Sequence, residues 1–378
     1  MIRSTIARVD LAALQFNFRA IQEFLAPSHS GRPSVIAVVK ANAYGHGAER
    51  VALALEQAGA TMLACADIEE GIVLRRAGVR VPVLVFGALS VSDLDGIFEY
   101  ALTPTISTPS AARALQVAAA RRGIVIGYHL KLDTGMNRLG FRHDNLARTL
   151  PAVLGSLNLR LEAVYTHFAT ADSPGHKLFT DQRERFERAL QTIGALGAPA
   201  GVTRHAANSA ALLRDSRTWY DVVRPGLLLY GIVPPPLAST IPLKPVMSLT
   251  SRVVAVKGLR PGESVGYGCR FNTNGPATIA VVPAGYADGL DLRLGQHGHV
   301  LIRGRRVPIV GAVSMDMITV DVTELGEVEP GDEVVLIGEQ GSEAWQRIDA
   351  REMAAAIGTI PYEIVCRIGT RIERQYSA

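Results

Sequence analysis

The sequence predicts an α/β protein in which a (β/α)8 barrel is followed by a mostly-β domain. Three observations predict it. Between residues 35 and 232, short apolar runs alternate with stretches of helical periodicity, the pattern of βα units around a parallel sheet. Beyond the proline run Pro234–Pro236, β-branched runs separated by Gly, Pro and Asn turns replace the helices. Chemistry-bearing residues fall at the ends of many apolar runs. That favours a closed barrel over the alternative, a doubly wound open sheet with one switch point.

The elements follow in order. "STIARVDL" (4–11) reads as a strand that pairs into the second domain. Candidate barrel strands are "SVIAVVKA" (34–41), "TMLACAD" (61–67), "VPVLVFG" (81–87), "LTPTIS" (102–107), "IVIGYHLKLDT" (124–134), "LRLEAVYTHFA" (159–169), "TRHAAN" (203–208) and "VRPGLLLYG" (223–231). The helical stretches between them include "HGAERVALALEQAG", "IEEGIVLRRAG" and "PSAARALQVAAARRG", each closed by a glycine suited to a C-terminal cap. "GHKLFTDQRERFERALQTIGALG" is the longest. The proline run stiffens a linker. After it come "MSLTSRVVAVKGL", "PATIAVVPAGYA", "HVLIRGRRVPIVGAVSMDMITVDV" and "GDEVVLIG", then a short helix, "DAREMAAAIG", and a final strand, "YEIVCRI". The expected division is an N-terminal strand (1–11), a barrel (12–235) and a β-rich domain (236–378).

Composition narrows the function classes. The 378 residues are 48% hydrophobic and 20% charged, enough apolar material for a large core. Net charge is +4, but the cations form no block of five, so no nucleic-acid surface is expected. Three distant cysteines, Cys65, Cys269 and Cys366, fit free thiols in a reducing compartment. No apolar stretch reaches the ~18 residues of a membrane span, and the N-terminus has no signal-peptide core. The expectation is a cytoplasmic protein without a membrane partner.

The first chemical question is Lys40, which closes the apolar run Val35–Val39. A lysine is rarely fully buried, and an unpaired buried charge is costly. Two readings stand: an amine that snorkels into solvent, or one desolvated enough to be a nucleophile. If strand carboxyl ends form the site, Lys40 shares it with Tyr44, Lys131, Asp133, His167, His205, Asn208, Ser209, Arg224 and Gly226. No phosphate-loop motif, no metal-ligand cluster and no serine elbow is present, so no metal is expected. Covalent catalysis by lysine, on a substrate or on pyridoxal phosphate, is what is left.

"AVVKANAYGHG" resembles the pyridoxal-phosphate lysine motif of alanine racemases. The resemblance runs through "LKLDTGMNRLGF" (130–141), "THFATAD" (166–172), "HAANSAA" (205–211), "VRPGLLLYG" (223–231), "SVGYG" (264–268), "PAGYADG" (283–289), "GAVSMDM" (311–317) and "IPYEIVCRI" (360–368), nearly the whole chain. It implies a barrel with a β domain that includes the N-terminal strand. It also implies a homodimer with shared active sites and interconversion of L-alanine and D-alanine, supplying D-alanine for peptidoglycan. Lys40 would hold pyridoxal phosphate and act as one base, and Tyr267, from the partner subunit, as the other. A phenol, with an ordinary pKa near 10, serves as a base only beside positive charge, and His167 and Arg224 would supply that network. Arg224 would face the pyridine nitrogen and, unable to give up a proton easily, weaken the electron sink. Tyr44, Ser209, Gly226 and Tyr362 would bind the phosphate, with Asn208 beside them. For Ser209 alone, a helix N-cap is the simpler reading. Arg138 would meet the substrate carboxylate or the cofactor's phenolic oxygen, and Met315 the substrate, with Asp316 beside Met315, His205 in support, and Tyr286 and Tyr362 narrowing the entrance. Lys131 matches a lysine that is carbamylated in many family members. Ser314 stands where the family often has cysteine. Competing readings are a racemase of broader specificity, a barrel-fold decarboxylase using the same cofactor, and a non-catalytic carrier of it. The second domain argues against the carrier.

Overall fold

The computed structural model describes residues 4–25, 31–89, 94–341 and 345–378. Residues 1–3 of the expected N-terminal segment lie outside these. Eight parallel strands among the described residues close on themselves: Ser34–Val38, Met62–Cys65, Val83–Val85, Thr103–Ile106, Ile126–Asp133, Leu159–Tyr165, Thr203–Asn208 and Val222–Arg224. The last returns to the first through the pairs Val222↔Ser34 and Val223↔Val35. Val35, Ile36, Ala37 and Val38 are all buried, because a barrel strand is covered on both faces and carries an apolar run instead of alternation.

The connecting helices form where the periodicity places them. Ala48–Gln57 buries Val51, Ala52, Ala54 and Leu55 on one face. Ile68–Arg76 starts at Asp67, whose carboxylate accepts the Glu70 amide at 2.8 Å. Pro109–Arg121 starts at Thr108, with proline pre-set for the first turn. Leu178–Ala195 is the longest. A further helix, Leu11–Phe24, is absent from the sequence reading. Asp10 caps it by accepting the Ala13 amide at 2.8 Å, and it buries Leu14, Phe18 and Ile21 against the barrel. Each of those side chains contributes about 1.5–3 kcal/mol by leaving water.

The second sheet runs in the order Ala255–Leu259, Ala277–Val282, Ile318–Asp321, Arg305–Val310, His299–Ile302, Glu333–Gln340, Met247–Arg252, Ile6–Asp10, Glu373–Ser377. The N-terminal strand is therefore internal to it, antiparallel to Met247–Arg252 and parallel to Glu373–Ser377. Two expectations need correction. "VRPGLLLYG" is a strand only to Arg224, since Pro225 has no amide for a ladder, and Leu227–Tyr230 turns into a 3-10 helix. "YEIVCRI" is a helix, Pro361–Cys366. Its proline at the first helical turn outweighs the β-branched density, and the closing strand lies further on, at Glu373–Ser377.

Asn17 joins the two halves. Its side-chain amide donates to the Leu229 carbonyl at 3.0 Å and the Lys244 carbonyl at 2.7 Å, and its oxygen accepts the Lys244 amide at 2.7 Å. Asn17→Ala would strip partners from three backbone groups at about 1–3 kcal/mol each, so a loss of roughly 3 kcal/mol or more is expected. Urea unfolding checks it: the midpoint should fall at unchanged slope.

Candidate active site

The first barrel strand leads into Lys40–Tyr44, and this turn is left-handed. Ala41, Asn42, Ala43 and Tyr44 all have φ between 52° and 54°. Left-handed turns of non-glycine residues cost about 1–2 kcal/mol per residue, so the surroundings must hold this one. Gly45 and Gly47, at φ 79° and 95°, complete the reversal and pack without room for a Cβ against the Val365 carbonyl and the Tyr376 hydroxyl. The turn aims Lys40 and Tyr44 into a cleft at the carboxyl ends of the strands.

That cleft has a cavity volume of about 110 Å³ and is lined by Val38, Lys40, Tyr44, Phe86, Lys131, Arg138, Tyr165, His167, Asn208, Ser209, Arg224, Gly226 and Tyr362. Ten of the residues expected at the site from sequence are in this set. Lys131 is 6% exposed and Arg224 3% exposed. Arg224 donates to the carbonyls of Thr166 at 2.8 Å and Ala206 at 2.9 Å, and to His205 Nδ1 at 2.9 Å. An arginine has no acceptor, so His205 Nδ1 accepts and its proton sits on Nε2. Nε2 then donates to His129 Nδ1 at 3.1 Å. His205 thus lies one layer beneath the cleft, stacked on the Tyr165 ring at 4.6 Å. Lys131 Nζ and the Arg224 guanidinium both lie over that ring, at 5.5 and 5.3 Å. The Tyr165 phenol, pushed up to about 12 by burial, stays neutral.

Positive charge dominates. Burial lowers the Lys40 pKa first, and Arg138 lowers it further. Lys131 falls to about 8, through burial and then Arg138, Arg224 and Lys40. His167 is held well below its ordinary value by burial and then Arg224. Arg224 itself, lowered to about 10 by burial, remains a cation at neutral pH.

Ser209 does not cap its helix; Asn208 does, accepting the Ala211 amide at 2.9 Å. Ser209 Oγ instead accepts the amides of Gly226 at 2.9 Å and Leu228 at 3.4 Å, which leaves its O–H to donate. Gly226 serves by being small, because a Cβ there would collide with the Tyr44 hydroxyl. Tyr44, Tyr362 and Ser209 so surround one end of the cleft with hydroxyls, the two rings 5.9 Å apart. A lysine amine, a buried arginine and a hydroxyl-rich, glycine-opened end match the donor set that pyridoxal phosphate needs.

The second-domain residues are elsewhere. Tyr267 is 77% exposed, Met315 52% and Tyr286 43%, and none lines this chain's cleft. Asp316 pairs with Arg371 at 2.6 Å. Sequence reasoning missed Tyr165, Phe86, His129 and Glu70. Tyr165 carried a legible signal, since it ends the sixth barrel strand; the others are found only through the fold.

Comparison with known proteins shows the family. Residues 9–234 match the family model "Alanine racemase, N-terminal domain", and residues 246–376 match "Alanine racemase, C-terminal domain". The chain belongs to the alanine racemase family. It is 41% identical to the alanine racemase of Halothermothrix orenii over 99% of this chain and 97% of that one. It is 42% identical to that of Symbiobacterium thermophilum, with the same two coverages. Among solved structures it is similar to alanine racemase from D-cycloserine-producing Streptomyces lavendulae (TM-score 0.93, 33% identity, 100% of this chain and 98% of that one). The Bartonella henselae alanine racemase, solved with covalently bound pyridoxal phosphate, is similar at TM-score 0.87 and 30% identity, covering 99% of each chain. The barrel and the β domain are thus the family's two matched parts.

The buried histidines make stability depend on pH. Burial lowers His46 and His129 from 6.5 to about 4, and His167 and His205 well below 6.5. Below pH 6.5 the unfolded chain binds these protons and the fold does not, so stability falls as pH drops from 6.5 toward about 4. Thermal melts across that window should show the decline, and His129→Gln should make it shallower. An equal or steeper decline in the variant would refute the assignment.

Proposed function

We propose that this chain is a pyridoxal-phosphate-dependent alanine racemase that interconverts L- and D-alanine, and that it works as a homodimer. The observation that carries the reading is one cleft, in a chain of this family, that gathers a desolvated lysine, a buried arginine and three hydroxyls. Lys40 would hold the cofactor, Tyr44, Ser209 and Tyr362 its phosphate, and Arg224 its ring nitrogen. When bound, pyridoxal phosphate supplies an electron sink that acidifies the α-carbon of the amino acid joined to it.

The chain's own groups do the rest. Lys40, its pKa lowered by burial and then Arg138, is the candidate to take a proton from one face. Arg224 keeps its proton, because His205 accepts from it and passes the bond on to His129. A donor of such low acidity leaves the ring nitrogen unprotonated and so favours simple proton exchange. Arg138 meets the substrate carboxylate. Racemisation needs a second proton carrier on the opposite face. Tyr267 is the candidate, and its exposure away from this chain's cleft supports delivery by the partner subunit, together with Met315, and with Asp316 and Tyr286 around them. The three free thiols suit a reducing compartment, so the reading includes the cytoplasm, which cell fractionation can test.

The test is incubation of the protein and cofactor with single L-amino acids, with products resolved on a chiral column. D-alanine should form fastest, and Tyr267→Phe should abolish it while keeping the bound cofactor's visible absorbance. Mixing inactive Lys40→Ala and Tyr267→Phe chains should restore activity, because one mixed site is intact. Equal rates for many amino acids would favour a racemase of broad specificity; loss of carbon dioxide without a D-product would sink the proposal.

Lys131 is proposed as a carbamate. At about 8 its pKa leaves a neutral amine fraction, whose nitrogen adds to carbon dioxide and releases a proton. The anion formed would offset the surrounding cations and give Arg138 an acceptor. Intact mass in isotope-labelled bicarbonate should show one label per chain, absent from Lys131→Met; no label would refute it.

A further inference from the structure

The left-handed turn that carries Lys40 has to be held from outside itself. Three of its anchors secure the far half. His46 Nδ1 donates to the carbonyls of Ala43 at 3.1 Å and Tyr44 at 2.9 Å. Asn42 accepts the Ala48 amide at 2.8 Å, and Arg374 donates to the Gly45 carbonyl at 2.8 Å. The near half, beside the reactive amine, is secured differently. The Ala41 amide donates to Glu70 Oε1 at 2.7 Å, and the Ala66 amide donates to Glu70 Oε2, also at 2.7 Å.

We propose that Glu70 is a positioning residue for the lysine turn: its carboxylate ties the backbone after the first barrel strand to the backbone after the second and so fixes the direction of Lys40. This rests on the reading of Lys40 given above.

Both oxygens are used, one on each neighbouring strand end, so the carboxylate acts as a bridge of fixed length. Glu70 itself sits in the first turn of Ile68–Arg76, whose N-terminal dipole favours a negative charge there. Its own amide is held by Asp67 at 2.8 Å, so the bridge is braced on a helix end and not on a mobile loop. The residue next to Lys40 is thereby kept at φ 52° and ψ 53°. Release of the Ala41 amide would let that residue relax toward the right-handed region and swing the Lys40 side chain away from Arg224 and Lys131. The charge of Glu70 also opposes the effect of burial on Lys40, favouring its protonated form. Among the described residues, the other anchors do not combine these roles: His46 and Arg374 reach carbonyls further along the turn.

The experiment compares the wild-type holoenzyme with Glu70→Ala and Glu70→Gln, reading amide hydrogen exchange, melting temperature, and kcat and KM for racemisation. In Glu70→Ala the Ala41 and Ala66 amides should exchange at least ~10-fold faster, as expected when a charged acceptor is lost. The kcat should fall roughly 10- to 100-fold with KM little changed, the signature of a misplaced reacting group. Glu70→Gln keeps one acceptor oxygen and should recover part of both. Wild-type exchange at Ala41 in Glu70→Ala would overturn the proposal. So would faster exchange spread over the whole chain with a matching fall in melting temperature, which would mark Glu70 as a general stabiliser. A wild-type protein that makes no D-alanine would instead defeat the functional reading, and exchange at Ala41 would still decide the role of Glu70.

Discussion

The site depends on a concentration of positive charge, with Lys131 and Arg224 buried, Lys40 half-buried and Arg138 exposed at the rim. Lys40, Lys131, Arg138 and Arg224 line one cleft, and none of its described lining residues is a carboxylate. Burial disfavours the charged form, and the neighbouring arginines add to it: both lysines shift down, and His167 stays neutral. Arg224 is lowered by burial as well, to about 10, but keeps its charge at neutral pH, with its guanidinium satisfied by two carbonyls and a histidine acceptor. The result is a pair of lysines with lowered pKa beside a guanidinium that keeps its charge, in a cavity suited to an anionic group.

Holding that arrangement uses both parts of the chain. The barrel supplies the strand ends, and closure of the parallel sheet brings Lys40, from the first strand, next to Arg224, from the last. The second domain backs the turn itself: Val365 and Tyr376 close on Gly45 and Gly47, and Arg374 bonds the Gly45 carbonyl. Four consecutive left-handed residues are tolerable only under such support. The same domain carries Tyr267 and Met315 on its exposed surface, so it braces one cleft and presents groups away from it.

Much of the fold was legible because its signals are local. Continuous apolar runs mark strands buried on both faces, as in Ser34–Val38 and Val83–Val85. The misreadings were local too. "YEIVCRI" has strand composition, but Pro361 starts a helix, and Leu11–Phe24 went unread although Asp10 is a good cap. Residue types raised Lys40 as a candidate, since it closes an apolar run, while the family resemblance implied the roles of Arg224 and the hydroxyl set.

What the sequence determined by itself is therefore the order of the barrel strands and the chemical identity of the groups at their ends. Only the tertiary structure decided the rest, because it depends on distance across the barrel. His129 and His205 are 76 residues apart yet share a proton donor and acceptor, Glu70 bonds a residue 29 positions earlier, and Ser209 turns from a cap into an acceptor for Gly226. Periodicity reports which face of an element is buried. It carries no information about which distant polar group will be there to meet it, and pKa values, tautomers and the aim of Lys40 follow from that meeting.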